Sequence, residues 1–182
     1  MNTIEHSITQ VKNFFESPER GLLLTGTNED EKHKLIMILL GKLYKDKRIL
    51  VRSHHMNRLN LFFGWAGLKK TPQIGKGNRL INNIYYFDTI YRPDTWNKTA
   101  NSYDFALLYP FDILVSKGEV AAIDDLFKKA IPKIILATHD YYSDYAEFNN
   151  YFSHNVEFDK MDETEHNRIM QLRQEHQSKY GR

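Results

Sequence analysis

Cysteine is missing from the chain altogether, which excludes a disulfide framework and any thiolate metal site and leans towards an intracellular setting. No apolar run is long enough to span a bilayer, and the opening "MNTIEHSITQ" lacks the basic flank and continuous apolar core of a secretory leader. The expectation is a soluble, cytoplasmic protein with no membrane partner. Internal repeats and low-complexity tracts are absent too. Acidic side chains are scarce in one region: from Lys42 to Arg79, Asp46 is the single acid against ten Lys and Arg, with His54 and His55 in addition. The whole chain carries only +2, so the remainder is net acidic and one segment is strongly positive. Such a field favours an anionic partner.

What is present suits a packed globule. The 182 residues are 41% apolar and include eleven Tyr and eleven Phe, enough for a single domain over residues 1–182 with a sizeable core. Ile4, Ile8, Val11 and Phe15 recur at helical spacing and predict a helix over 3–16 that stops at Ser17-Pro18. "GLLLTG" from Gly21 reads as a strand buried on both faces, followed by a largely buried helix through Leu35, Ile36, Leu39, Leu40 and Leu43. "RILVRS" (48–53), "NIYYFD" (83–88), "YDFALLYP" (103–110) and "PKIILATHD" (132–140) read as further strands, and "NVEFD" as an edge strand. Ser116 and Glu119 have capping-box spacing ahead of a helix carrying Val120, Ile123, Leu126, Phe127 and Ala130. Tyr141, Tyr145, Phe148 and Phe152 share a helical register, and a very polar helix begins at about Asp162. Continuously apolar strands alternating with helices imply an α/β three-layer sandwich, its mostly parallel central sheet having five or six strands.

Residues 20–140 resemble the P-loop NTPase superfamily, most nearly its recombinase-like and AAA+ branches, which include helicase loaders. The resemblance rests on "GLLLTGTNEDEKHKLI" as strand, Walker A loop and helix, on "YDFALLYPFD" as the Walker B strand, and on "IILATHD" as the neighbouring sensor strand. It implies a nucleotide site with Gly26, Lys32 and His33 at Walker A positions, and ATP and Mg²⁺ as cofactors if that site is intact. The departures are specific. Glu31 stands at the second Gly position, His33 at the Ser/Thr position, and Tyr109-Pro110 where the Walker B acids belong. Asp104 precedes that strand, and a rival alignment uses Asp88 at the end of "IYYFD" as the magnesium carboxylate. Glu29, Asp30 and Glu31 would surround a polyphosphate, and each like-charge contact at about 4 Å costs about 4 kcal/mol at an effective dielectric of about 20. A non-nucleotide reading of the same stretch is a capping box of Asn28 and Glu31 that stabilises the helix end.

The segment 54–83 mixes cations, aromatic rings and glycines. Arg52, Arg58, Lys69, Lys70, Lys76 and Arg79 are candidate phosphate contacts, and Trp65 a candidate base-stacking ring; Phe62, Phe63 and Trp65 packed into the core are the alternative. His54-His55 lacks a third ligand at useful spacing, so no metal site is expected. His139-Asp140 fits either a sensor or base pair in an active enzyme or a surface His beside a helix cap. The leading expectation is an NTPase-like protein without catalysis, serving as a nucleic-acid-binding or regulatory module of a DNA- or RNA-processing assembly. Two alternatives stay open. One is a divergent Mg²⁺-dependent ATPase or kinase using Lys32, with Asp88, Asp104 or His139 as catalytic candidates. The other is a structural or inhibitory protein that docks on a true ATPase.

Overall fold

The computed structural model describes the backbone of residues 3–139 and 144–180, without the side chains of residues 176, 177, 179 and 180. Asp140 and Tyr141, singled out in the sequence, lie outside the described residues. Helix α1 (Ile4–Glu16) starts where the Thr3 side chain accepts the His6 N–H at 3.1 Å, and ends before Pro18. It feeds β1 (Gly21–Thr25), then α2 (Lys32–Leu43) and β2 (Arg48–Ser53). The segment 54–83 contains short ordered pieces: a 3₁₀ turn Met56–Arg58, α3 (Leu59–Phe63), a second 3₁₀ turn Gly64–Ala66 and β3 (Asn78–Leu80). Strand β4 (Asn83–Thr89), α4 (Pro93–Trp96), β5 (Phe105–Tyr109), α5 (Asp112–Val115), α6 (Ala121–Lys128) and β6 (Lys133–Ala137) follow. A 3₁₀ segment Ala146–Tyr151, β7 (His154–Glu157) and α7 (Glu163–Tyr180) complete the chain.

The described strands form one seven-stranded sheet in the order β3-β4-β2-β5-β6-β1-β7. Every pairing is parallel except that of β3 with β4. The seventh strand, beyond the five or six expected, is β3; it is only three residues long, too short to leave a periodicity in the sequence. Helices cover both faces, which is why β1, β5 and β6 are apolar through their centres, with Thr25 and Lys133 at strand ends. Alternate residues of one strand serve opposite layers: Leu22 and Leu24 pack with Val11, Phe14, Ile36 and Phe63, whereas Leu23 packs with Leu108, Leu114, Ile123 and Leu126.

Three local readings are corrected. The Ser116 and Glu119 box does not form: α6 starts at Ala121 without a side-chain cap, and the Ser116 hydroxyl donates back to the Ile113 carbonyl at 3.0 Å. The Tyr145 to Phe152 region is a 3₁₀ segment with Phe148 buried, not an α-helix. Of the insert aromatics, Phe63 is buried while Phe62 and Trp65 are exposed, so core packing accounts for one of the three. The C-terminal helix α7 is as polar as expected and buries Ile169. Among the described residues no helix is long and apolar enough to cross a membrane.

Candidate functional site

In a parallel sheet the loops that follow the strands gather at one edge. Here that edge collects residues 26–31 after β1, the residues following Tyr109 at the end of β5, and His139 after β6. Strand β6 pairs with both β1 and β5, which sets His139 between the ends of those two strands. Gly26, Lys32, His33 and His139 are therefore brought together from the candidate residues.

The loop is held by the chain itself. Gly26 has φ +109°, and a Cβ there would lie 2.4 Å from the Phe158 carbonyl oxygen. The glycine is thus required by backbone conformation and by the close passage of the segment joining β7 to α7. The Asn28 N–H donates to the Phe158 carbonyl at 3.0 Å. The neighbouring Asp159 carboxylate, nearly buried, accepts the Thr27 N–H at 3.0 Å and lies 3.2 Å from the Thr27 hydroxyl. That hydroxyl also lies 2.9 Å from His166 Nδ1 on α7 and accepts the Lys160 N–H at 3.1 Å. A carboxylate of the chain thus occupies donors of the kind a phosphate-binding loop offers to an anion. The expected capping box of Asn28 and Glu31 is absent as well. Glu31 is the N-cap residue of α2 but makes no side-chain cap bond, and its carboxylate meets Lys34 at 3.2 Å instead.

The two motif departures meet in space. His33, which the resemblance puts at a Walker A Ser/Thr position, has its ring 4.6 Å from that of Tyr109, which it puts at a Walker B acid position. Phe63 lies 5.3 Å away, with Phe62 and Trp65 each at 6.4 Å. The His33 Nε2–H donates to the Phe62 carbonyl at 3.1 Å, which fixes the neutral tautomer; Nδ1 is buried without a hydrogen-bond partner. Burial pushes the His33 imidazole down to about 4, and pushes the Tyr109 phenol above its ordinary range. The Tyr109 hydroxyl lies 3.5 Å from His139 Nδ1, and the His139 N–H donates to the Asp112 carboxylate. Glu29, beside His139 and Lys32, is also raised by burial. Mg²⁺ takes oxygen ligands, largely carboxylate, phosphate and water. The space its hydroxyl and carboxylate ligands would share is filled here by two uncharged rings, so this donor set does not fit the ion. Among the described residues no group of three or more His, Asp or Glu is arranged to hold a metal.

Other candidates sit elsewhere. Asp88, on β4, is separated from β1 by β2, β5 and β6. It is fully buried and holds Arg52 in a two-pronged pair, Nε to Oδ1 at 2.8 Å and Nη2 to Oδ2 at 2.7 Å. Arg52 further donates to Asp125 and to the Ala122 carbonyl, and its guanidinium lies 4.5 Å from the Trp96 ring centroid. Arg52 is consequently a core cation that fastens β2 to β4 and α6, out of reach of an external phosphate. Asp104 precedes β5 at the opposite edge of the sheet, a strand length of about 17 Å from the loop. It accepts from Lys47 at 3.0 Å and from the Arg48 N–H at 2.8 Å. Arg79 is exposed and pairs with Asp46 at 2.8 Å. Arg58, Lys69, Lys70 and Lys76 are exposed and form no salt bridge among the described residues. With exposed Trp65 and Leu61 they make the insert a basic surface with apolar relief. Asp159, Thr27 and His166 were not legible in the sequence, since no local spacing links residue 27 to residues 159 and 166.

No family model and no curated protein matches the sequence. Among solved structures the chain is similar to the large terminase of a thermophilic bacteriophage, determined in complex with ADP, at 10% identity and a TM-score of 0.48. The match covers 96% of this chain and 50% of the terminase chain, so the chain spans half the length of that protein.

Proposed function

We propose that the chain is a P-loop NTPase-like protein whose nucleotide site has become packed core, and that it acts as a nucleic-acid-binding or regulatory module. The observation that carries this reading is the His33–Tyr109 ring contact, at 4.6 Å, in the space two Mg²⁺ ligands would share. The Asp159 carboxylate on Thr27 supports it independently, because an incoming phosphate would have to displace a charge of its own sign. Exposed Lys69, Lys70 and Lys76 on the insert supply the surface for a polyanion, each neutralised phosphate contributing a salt-dependent increment.

Calorimetry with ATP and Mg²⁺, with Lys32→Ala beside the wild type, tests the first half. The expected result is no binding by either folded protein; saturable binding lost in the variant would restore an ATPase or kinase that uses Lys32. The second half predicts that Lys69→Ala/Lys70→Ala weakens nucleic-acid binding and flattens its salt dependence. A folded protein that binds neither nucleotide nor nucleic acid would instead fit a docking partner of a true ATPase.

A further inference from the structure

A cavity of about 580 Å³ opens where β2 and β4 end, well away from the loop after β1. Its lining residues include the aromatic His54, His55 and Tyr91, the apolar Met56, Pro72 and Ile74, and the amide-bearing Asn57 and Gln73. The His54 and His55 ring centroids are 3.7 Å apart, and Tyr91 meets His54 edge-on at 5.0 Å. The Lys117 ammonium sits 4.1 Å from the Tyr91 ring centroid. Burial, with His55, Lys117 and Arg58 nearby, pushes the His54 imidazole down. Among the described residues no acid lines the cavity; Arg92, which does, pairs with Asp94.

A second cavity, of about 430 Å³, is lined by Lys69, Lys70, Lys76 and Arg79 and shares Pro72 and Gln73 with the first. Residues with aromatic rings and side-chain amides therefore lie next to a cationic set, with Pro72 and Gln73 common to both. The ligand chemistry that matches both is a heteroaromatic ring with a polar edge, joined to phosphate. A duplex buries its bases in the stack and offers no such ring.

We propose that the first cavity receives an unpaired nucleobase of a single strand whose phosphates run along Lys69, Lys70 and Lys76. This rests on the nucleic-acid reading above and adds to it the strand state and the seat of the base. His54 and Tyr91 supply ring contacts, Asn57 and Gln73 meet the base edge, and the strand passes from base to backbone at Pro72 and Gln73, which line both cavities.

Fluorescence anisotropy with fluorescein-labelled dT and rU strands of about 20 nucleotides, a duplex of the same length as competitor and free UMP tests the proposal. Ile74→Trp fills the cavity and Gln73→Ala removes an exposed amide, with circular dichroism confirming that each variant is folded. The expected result is single-strand binding weakened about tenfold by Ile74→Trp, with the salt slope unchanged, whereas Lys69→Ala/Lys70→Ala lowers the slope by about 1–2. Strand binding that responds to the lysine variant but not to Ile74→Trp or Gln73→Ala overturns the base seat and leaves the basic surface standing. UMP competing as well as the strand, at equal molarity, overturns the strand assignment in favour of a free nucleotide. Failure of the folded wild type to bind either strand removes the nucleic-acid reading together with the proposal.

Discussion

His33 gives the protein a calculable sensitivity to acid. Its imidazole has an ordinary value of 6.5, and burial among Phe62, Phe63 and Tyr109 lowers it to about 4 in the folded state. The unfolded chain therefore binds the proton more tightly. Between pH 6.5 and about 4 it holds more protons than the folded protein, and stability falls as pH falls. The contribution is fully present above pH 6.5. At about pH 5 the loss spans about 1.5 pH units at about 1.4 kcal/mol each, so about 2 kcal/mol is gone, rising to about 3 kcal/mol by about pH 4. Urea denaturation at about pH 7.5 and about pH 5 should record this loss in the wild type, over and above any change in His33→Phe, which keeps an aromatic ring and cannot titrate. Nuclear magnetic resonance titration of the His33 ring gives an independent readout. Equal pH responses in the two proteins, or a His33 resonance that titrates near 6.5, would refute the buried neutral imidazole and with it the closed ring cluster.

Arg52→Met strands Asp88 as a buried carboxylate without its cation, and a destabilisation of about 3–5 kcal/mol is expected by chemical denaturation. Arg52→Met/Asp88→Leu should recover part of that loss, and simple additivity of the two single changes would count against the pair. Gly26→Ala drives a Cβ against the Phe158 carbonyl at a φ of +109°, for an expected cost of about 1–3 kcal/mol in urea midpoint measurements. Asp159→Ala leaves the Thr27 N–H without its acceptor and is expected to cost about 1–3 kcal/mol; hydrogen exchange at the Thr27 amide should quicken, and unchanged exchange would exclude the contact as a latch.

Much of the framework was written in local pattern. Apolar runs such as Leu22 to Leu24 and Ile134 to Leu136 marked strands buried on both faces, because a parallel sheet covered by helices leaves neither face to water. The spacing of Ile4, Val11 and Phe15 likewise marked α1. Capping was read less well. Asn28 with Glu31 and Ser116 with Glu119 have the right spacing, yet α2 and α6 begin at Lys32 and Ala121 with no side-chain cap bond. The basic stretch gave its charge directly but not its use: Arg52 looked like its neighbours and is a core residue. Whether a cation in a strand faces solvent or a buried Asp on the next strand depends on which strands pair.

By itself, then, the sequence determined the α/β layering and the site of positive charge, since each is carried by residue type or short-range periodicity. Tertiary structure alone decided that His33 and Tyr109, far apart in the chain, fill one space, that Asp159 closes on Thr27 from 132 residues away, and that two cavities share Pro72 and Gln73 in their lining. The reason is physical. Contacts between distant segments arise from strand order and from the shared edge where parallel strands end, and neither quantity is encoded in any window of neighbouring residues.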